Sequence, residues 1–433
     1  MHRQPINRRA ARARHAKPAA ACAAWCAAWC AAGLLAVSAA ASAQGISPGE
    51  LPKDGTKLPG GIEPVLHLRS YYFDQESLAG KPSTAWALGG WAGLRTPWLG
   101  ELVQLGVVGY TSQRLYGPED KGGTLLLQSD QDAINVIGLA WAALRLGGQT
   151  FTGYRQLINR PFINPQDNRM VPNTFEAYTL SGSPLEGLSY TGGYITRIKN
   201  RDADEFVWMS KDAGGSGSNK GVYFAGVDWA FLQDGRLRAD LQYGVDTFNT
   251  FYLDGRVPIA LGERTQLTLG AQYFPQSSVG DQQAGDFSTW GAGIQAVLAH
   301  GPFGAHLSFT RTGSEFATQS PWGDHPSYLN QQQVAFNSAG ERAWALGGSI
   351  NFAEFGAPGL SAAAVYTSGR DRLVNLTGAP LPDRYETDLR ADYRFAKDHL
   401  LGGLVLTMRY AWLREGDASQ PQARVIVNYP FAF

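Results

Sequence analysis

Arg155, Arg160 and Arg169 fall on one segment that also carries Pro161, Pro165 and Pro172. Each proline fixes its own φ and stiffens the chain, so the segment suits a loop that holds charges at fixed positions. Groups that would break bonds are scarce. The patterns HExxH, GxxxxGK[ST] and GxSxG do not occur. Gly291-x-Gly293-x-x-Ala296 has the outline of a dinucleotide fingerprint, but it sits inside the alternating run Trp290 to Leu298 with no helix to receive a phosphate, so strand glycines account for it. His67 and His306 have no serine or acid partner at a recognisable spacing. Asp202, Asp204 and Glu205 read as a solvated acidic loop beside the flexible tract Ala213 to Asn219. The expectation is a non-enzyme with no metal and no cofactor.

Composition narrows the class. The 433 residues include 52 Gly, 12% aromatic and only 17% charged residues. Disorder is excluded by the aromatic content, and a multi-span helical protein by the low apolar content. The formal net charge is zero, but Arg3, Arg8, Arg9, Arg12, Arg14 and Lys17 precede any acidic residue; without those six the 37 basic residues fall to 31 against 37 acidic. A mildly acidic chain with no basic block makes nucleic acid an unsuitable partner.

Residues 19–43 are one apolar stretch ending in Ala41-Ser42-Ala43, directly after the basic residues. This is the pattern of a secretory signal peptide over 1–43, with an uncleaved anchor as its rival. Cys22, Cys26 and Cys30 all lie in that stretch, so the exported chain would hold no cysteine. A short segment, 44–62, would precede the folded domain, 63–433.

Those fixed charges need elements to position them, and the chain supplies strands. In Leu404 to Trp412, the residues Leu404, Leu406, Met408, Tyr410 and Trp412 alternate with Thr407, Arg409 and Ala411. In Thr387 to Phe395, Leu389, Ala391, Tyr393 and Phe395 alternate with Asp388, Arg390, Asp392 and Arg394. Period two with charges on one face is a strand between an apolar phase and water. Eighteen such segments start near 65, 84, 101, 133, 148, 173, 186, 220, 235, 255, 264, 286, 302, 342, 359, 385, 402 and 421, or roughly 22 residues per strand and connector, which suits tilted bilayer-crossing strands. Connectors after even-numbered strands are short and those after odd-numbered strands mostly long, with an exception near Asp254-Gly255. That asymmetry predicts an all-β transmembrane antiparallel barrel with short periplasmic turns and long extracellular loops. Val425, Val427, Tyr429, Phe431 and Phe433 share one face of the last strand and would guide its assembly. Trp86, Trp91, Trp98, Trp141, Trp290, Trp344 and Trp412 would form interfacial girdles.

The segments VLHLRSYYF (65–73), RQLINRPFINPQDNRMVPNTFE (155–176), PWGDHPSYLNQQQVAFNSAGERAWALG (321–347), ETDLRADYRF (386–395) and RVIVNYPF (424–431) together resemble the OprD family of outer-membrane porins. Their order from about residue 62 to the end carries the resemblance, more than any one motif. It implies an eighteen-stranded barrel in the outer membrane of a Gram-negative bacterium, reached by Sec-type export and the barrel assembly machinery. It also implies a substrate-selective, passive channel for small solutes, often carboxylates such as amino acids or aromatic acids. The third and seventh loops would narrow the lumen, carrying Arg155, Arg160, Asp167 and Arg169 on one and Asp324, His325 and Tyr328 on the other. Wall positions compatible with a basic ladder are Arg69, Arg390, Arg394, Arg409 and Arg424. The sequence departs from a purely basic ladder where Asp388 and Asp392 accompany Arg390 and Arg394. Monomer and homotrimer both stay open. Two other readings compete: an adhesin or receptor barrel that uses the loop Ser314 to Glu341 outside the membrane, and a secreted β-sandwich binding protein.

Overall fold

The structure, a computed structural model, describes residues 58–431 apart from 216, 218, 232 and 233. The leader, its cysteines and Phe433 therefore lie outside the described residues. Strands dominate. The first seven are β1 (Glu63–Gln75), β2 (Ser83–Arg95), β3 (Val103–Tyr116), β4 (Ile134–Leu146), β5 (Gln149–Gln156), β6 (Thr174–Leu185) and β7 (Leu188–Lys199). A two-residue strand β8 (Val207–Trp208) and the short helix α1 (Met209–Asp212) lie within the next loop. Then follow β9 (Val222–Phe231), β10 (Gly235–Gly244), β11 (Phe248–Gly262), β12 (Thr265–Ser278), β13 (Ser288–His300) and β14 (Phe303–Thr312). The last five are β15 (Arg342–Asn351), β16 (Leu360–Arg370), β17 (Arg384–Arg394), β18 (Val405–Glu415) and β19 (Ala418–Pro430).

Every sequential neighbour pairs antiparallel, with β7 pairing directly to β9, and β1 pairs both β2 and β19. The sheet is thus closed. Setting aside β8, which only extends β7 through Arg197 and Ile198, eighteen strands make the barrel. Closure rules out the β-sandwich.

Alternation decides which face meets lipid. On β18, Met408, Tyr410 and Trp412 are 51%, 45% and 53% exposed, while Thr407, Ala411 and Leu413 between them are buried. On β6, Tyr178 and Leu180 are exposed, and Ala177 and Thr179 are buried. Such rows of bare apolar side chains would be an aggregation hazard in water and are the required surface in hydrocarbon. No helix among the described residues is long and apolar enough to cross a membrane, so the crossing is done by strands. The buried core lies inside the wall, where loop residues such as Met170, Val171 and Leu126 pack against Tyr71, Phe73 and Tyr110.

The strand starts follow the sequence pattern closely, with one informative shift. β11 begins at Phe248 and runs through Asp254-Gly255 to Gly262, so that dipeptide is strand and not connector. The real connector is the tight turn 245–247, and the pair 416–417 is a second short link at the same end. At the other end Gly147 and Gly148 join β4 to β5 with φ of 57° and 77°, the two positive angles that a two-residue hairpin of matching twist requires. Two of the seven tryptophans leave the girdle: Trp91 is 4% exposed and stacks inside on His67, with ring centroids 4.0 Å apart, and Trp141 packs against the same interior cluster.

A closed barrel of this kind keeps its shape in detergent until boiled. The protein should fractionate with membranes and migrate faster unheated than heated on a denaturing gel. Recovery in the soluble fraction without detergent would contradict the fold.

Candidate channel constriction

Two loops fold into the lumen, and buried charges hold each to the wall. The third long loop, 157–173, is gripped on one side by Arg69 of β1. Its guanidinium makes two parallel bonds to Asp167, Nη1 to Oδ1 at 2.6 Å and Nη2 to Oδ2 at 3.2 Å. The same Nη1 donates to the Arg169 carbonyl at 2.6 Å, and Nε donates to Asn428 Oδ1 at 2.7 Å. Both side chains are almost fully buried, at 2% and 3% exposure. Across the barrel, Arg160 donates to both oxygens of Asp240, at 2.6 and 2.8 Å, and pairs with Asp228. Parallel guanidinium–carboxylate bonds fix orientation as well as distance, so the loop is clamped at two points.

The seventh loop, 313–341, meets the third at Asn164. Asn164 Nδ2 donates to the Asp324 carbonyl at 3.0 Å, and its Oδ1 accepts from the Asp324 amide at 2.8 Å. The backbones come so close that a Cβ on Gly323 would lie 2.7 Å from the Asn164 nitrogen, so only glycine fits there. Glu386 and Asp388 of β17 accept the amides of Gln333, Val334 and Gln332, at 2.7, 3.3 and 3.1 Å. Tyr328 donates to Asp254 Oδ2 at 2.7 Å. Trp322, 1% exposed, stacks on Phe248 at 5.0 Å and donates to the Met209 carbonyl at 2.9 Å. Phe336 is equally buried. The apolar residues of this loop are spent on packing inward, which removes the surface an adhesin would need.

Between the loops and the wall lies a cavity of about 340 Å³ whose lining includes Arg160, Arg238, Arg256, Arg390, Arg409 and Arg424, against only Asp324 and Asp388 among acids. His325 and Tyr328 complete the loop side. Burial holds the His325 imidazole down at about 3, so it adds no charge at neutral pH; Phe162 and Phe274 pack edge-on against it. Burial, reinforced by Asp254, raises the Tyr328 hydroxyl above its ordinary value, so it stays a neutral donor.

Three of the arginines form a row. Arg390 is directly opposite Arg409 across β17 and β18, and Arg409 is directly opposite Arg424 across β18 and β19. Arg390 is paired with Asp392 at 2.5 Å, and Arg424 donates to Gln422 at 2.6 Å and to the Gln332 carbonyl at 2.8 Å. Arg409 donates no hydrogen bond to any described residue. Like charges facing each other across strands destabilise a sheet, so this row costs stability unless an anion completes it.

The structure brings Arg160, Asp167, Arg169, Asp324, His325 and Tyr328 to the constriction. Of these, Asp167 and Arg169 are buried clamps, and Arg69 is their wall partner. Arg394 stands at the far end of β17, away from the cavity. Arg155 differs outright from the sequence expectation. It is the last residue but one of β5 and faces Glu176, on the side of β6 that carries Tyr178 and Leu180, so it points outward. A proline-rich loop was the right signal, but the strand reaches past Arg155 and its alternation sets the direction. Arg238 and Arg256 are lumen arginines that the sequence reading missed; the alternation in GRLRADLQYG, with Arg238, Asp240 and Gln242 on one face, would have shown the first.

The fold and its inward loops define a class: a closed outer-membrane barrel whose lumen is narrowed by fixed charges. A family described as outer membrane porin, OprD family, matches residues 61–433, and the chain belongs to it. It is a channel protein of the Gram-negative outer membrane and not an enzyme. Porin D of Pseudomonas aeruginosa is 26% identical over 422 residues, covering 85% of this chain and 90% of that protein. Among solved structures, OpdK of Pseudomonas aeruginosa with vanillate has a TM-score of 0.76 at 20% identity, covering 86% of this chain and 99% of OpdK. OccAB3 of Acinetobacter baumannii has a TM-score of 0.79 at 17% identity, with 86% and 99% covered.

Removing one partner of the first clamp tests its role. Asp167→Ala leaves Arg69 buried and uncompensated, a cost of about 3–5 kcal/mol. The third loop should then leave the wall, and single-channel conductance should rise and become noisier. Wild-type conductance in this variant would contradict the clamp.

Proposed function

We propose that the channel selects small carboxylates and passes them by passive diffusion. The observation that carries this is the row Arg390, Arg409 and Arg424, with the middle guanidinium unpaired and facing the cavity. A guanidinium presents a planar fork of donors that matches a carboxylate's two oxygens. At about 4 Å and an effective dielectric near 20, one such contact contributes about 4 kcal/mol before desolvation is subtracted. What remains is weak enough for release, and several arginines in one cavity let a solute step between sites; flux needs both. The complex of OpdK with vanillate, itself a small aromatic carboxylate, supports the same chemistry. The set put forward is Arg409 and Arg424 for the carboxylate, with Asp324, His325 and Tyr328 setting the opposite side and Arg160 committed to Asp240 and Asp228. Arg69, Asp167 and Arg169 fix the loop that faces them.

Assembly belongs to the same reading. The last strand, β19, closes on β1, and the aromatic residues Tyr429, Phe431 and Phe433 at the end of the sequence are what the barrel assembly machinery would engage. Deleting Phe433 should lower the amount of folded, heat-modifiable barrel while leaving the conductance of each folded channel unchanged. Normal folded levels would remove that role. Monomer and homotrimer are both compatible with a lumen built from a single chain.

Arg409→Gln keeps side-chain length and removes the unpaired charge. In planar bilayers under a salt gradient, the reversal potential should shift toward cations, and half-block by benzoate should need roughly tenfold more solute, the size of one lost charge-assisted contact. An unchanged reversal potential and unchanged block would contradict the proposed role.

A further inference from the structure

The cavity is bordered by a second pair of guanidinium groups, apart from the row on β17 to β19. Arg238 stands opposite Asp254 in the register of β10 and β11, so Arg256, two residues beyond Asp254, is its diagonal neighbour on the same face. Both border the cavity. Six strands, β12 to β17, separate β11 from β18, and eight, β1 to β7 and β9, separate β10 from β19 the other way round. The pair therefore faces Arg409 and Arg424 from across the lumen.

The acids on this wall orient the two arginines and leave their outer ends open. Asp228 accepts from Nε of Arg238 at 2.7 Å, and Asp254 accepts from Nε of Arg256 at 3.0 Å. Neither arginine donates another hydrogen bond to a described residue, so the Nη1–Nη2 edge of each fork has no acceptor among them. Four guanidinium groups, those of Arg160, Arg236, Arg238 and Arg256, share the carboxylates of Asp228, Asp240 and Asp254, which leaves one positive charge over. Tyr328 braces Arg256: its ring centroid lies 5.4 Å from the guanidinium, and its hydroxyl donates to the other oxygen of Asp254 at 2.7 Å. Glycine makes room for this, since a Cβ on Gly270 would lie 2.8 Å from that hydroxyl. The Arg256 side chain still keeps 47% of its exposure.

We propose that the preferred solutes are small, extended dicarboxylates, with the second carboxylate taken by Arg238 and Arg256; this rests on the assignment of the first carboxylate to Arg409 and Arg424. A monocarboxylate at one wall leaves the guanidinium ends of the other without an anion. A rigid diacid with its carboxylates at opposite ends engages both walls of the one cavity, and a ring lying toward Tyr328 points its far substituent at Arg256. A diacid with adjacent carboxylates engages one wall only. Amino acids fit less well, because the acids that border the cavity already accept from the loops: Asp324 from Gln166 and Asn330, and Asp388 from the Gln332 amide. An ammonium group would meet guanidinium on either side.

The test reads block of single channels in planar bilayers by three acids: terephthalate, its monomethyl ester, which keeps the ring and one carboxylate, and phthalate, which keeps both charges but sets them side by side. Wild-type channels should be half-blocked by terephthalate at roughly tenfold lower concentration than by either of the others, the size of one added charge-assisted contact. In the double variant Arg238→Gln, Arg256→Gln that margin should disappear. The wild-type comparison stands by itself if the variant does not fold. Equal block by terephthalate and its ester, or by terephthalate and phthalate, would overturn the proposal and leave the Arg409 assignment intact. An undiminished margin in the double variant would overturn it as well. Failure of all three acids to block would overturn both the proposal and the assignment on which it rests.

Discussion

Hydrocarbon offers no hydrogen bonds, and that single constraint shapes this protein. A sheet with a free edge in lipid would leave a row of amide and carbonyl groups without partners, at several kcal/mol each. The pairing of β1 with β19, from His67 opposite Pro430 to Gln75 opposite Gln422, removes that edge. Once the sheet closes, period-two alternation leaves no choice about the two faces. Tyr178 and Leu180 of β6 and Tyr410 and Trp412 of β18 go to lipid, and charged residues at mid-strand such as Arg256, Arg390 and Arg409 go to the lumen.

The lumen then inherits the opposite problem, a crowd of charges on a curved wall. Most are resolved in pairs that also do structural work. Arg69 with Asp167 and Arg160 with Asp240 tie the third loop to opposite sides of the barrel. Glu386 and Asp388 tie the seventh loop by its backbone amides. The two loops lock together at Asn164 and Gly323. With both loops fixed, the cavity between them keeps its shape, and fixed dipoles and charges act on a solute without first reorganising. What pairing leaves behind is an excess of guanidinium, concentrated where β17, β18 and β19 set Arg390, Arg409 and Arg424 side by side.

The barrel was legible in the sequence because a bilayer writes a period-two code that needs no partner strand to be read. The turns were legible for a similar reason: Gly147-Gly148 is local chemistry. β11 was misplaced because Asp254-Gly255 in its middle has the composition of a turn, and only the pairing with β10 and β12 shows that the strand runs through it. The constriction was partly legible. Prolines around Arg160 and Arg169 marked a stiff loop, and the polar face of β17 marked Arg390. The direction of Arg155 was not, since a boundary shift at a strand end turns a side chain from lumen to lipid. Nor was the division between clamps and free groups. Arg69 and Arg409 look alike in their strands, and only the loop that comes down from far along the chain gives one of them an aspartate.

The central claim is that the arginine left unpaired on the wall is where a carboxylate rests. A crystal of the protein grown with 4-bromobenzoate addresses it most directly, because bromine locates the solute by anomalous scattering. The carboxylate should lie against Arg409 and Arg424, with the ring in the cavity toward His325 and Tyr328. Bromine found elsewhere in the lumen, with Arg409 bare, would contradict the account.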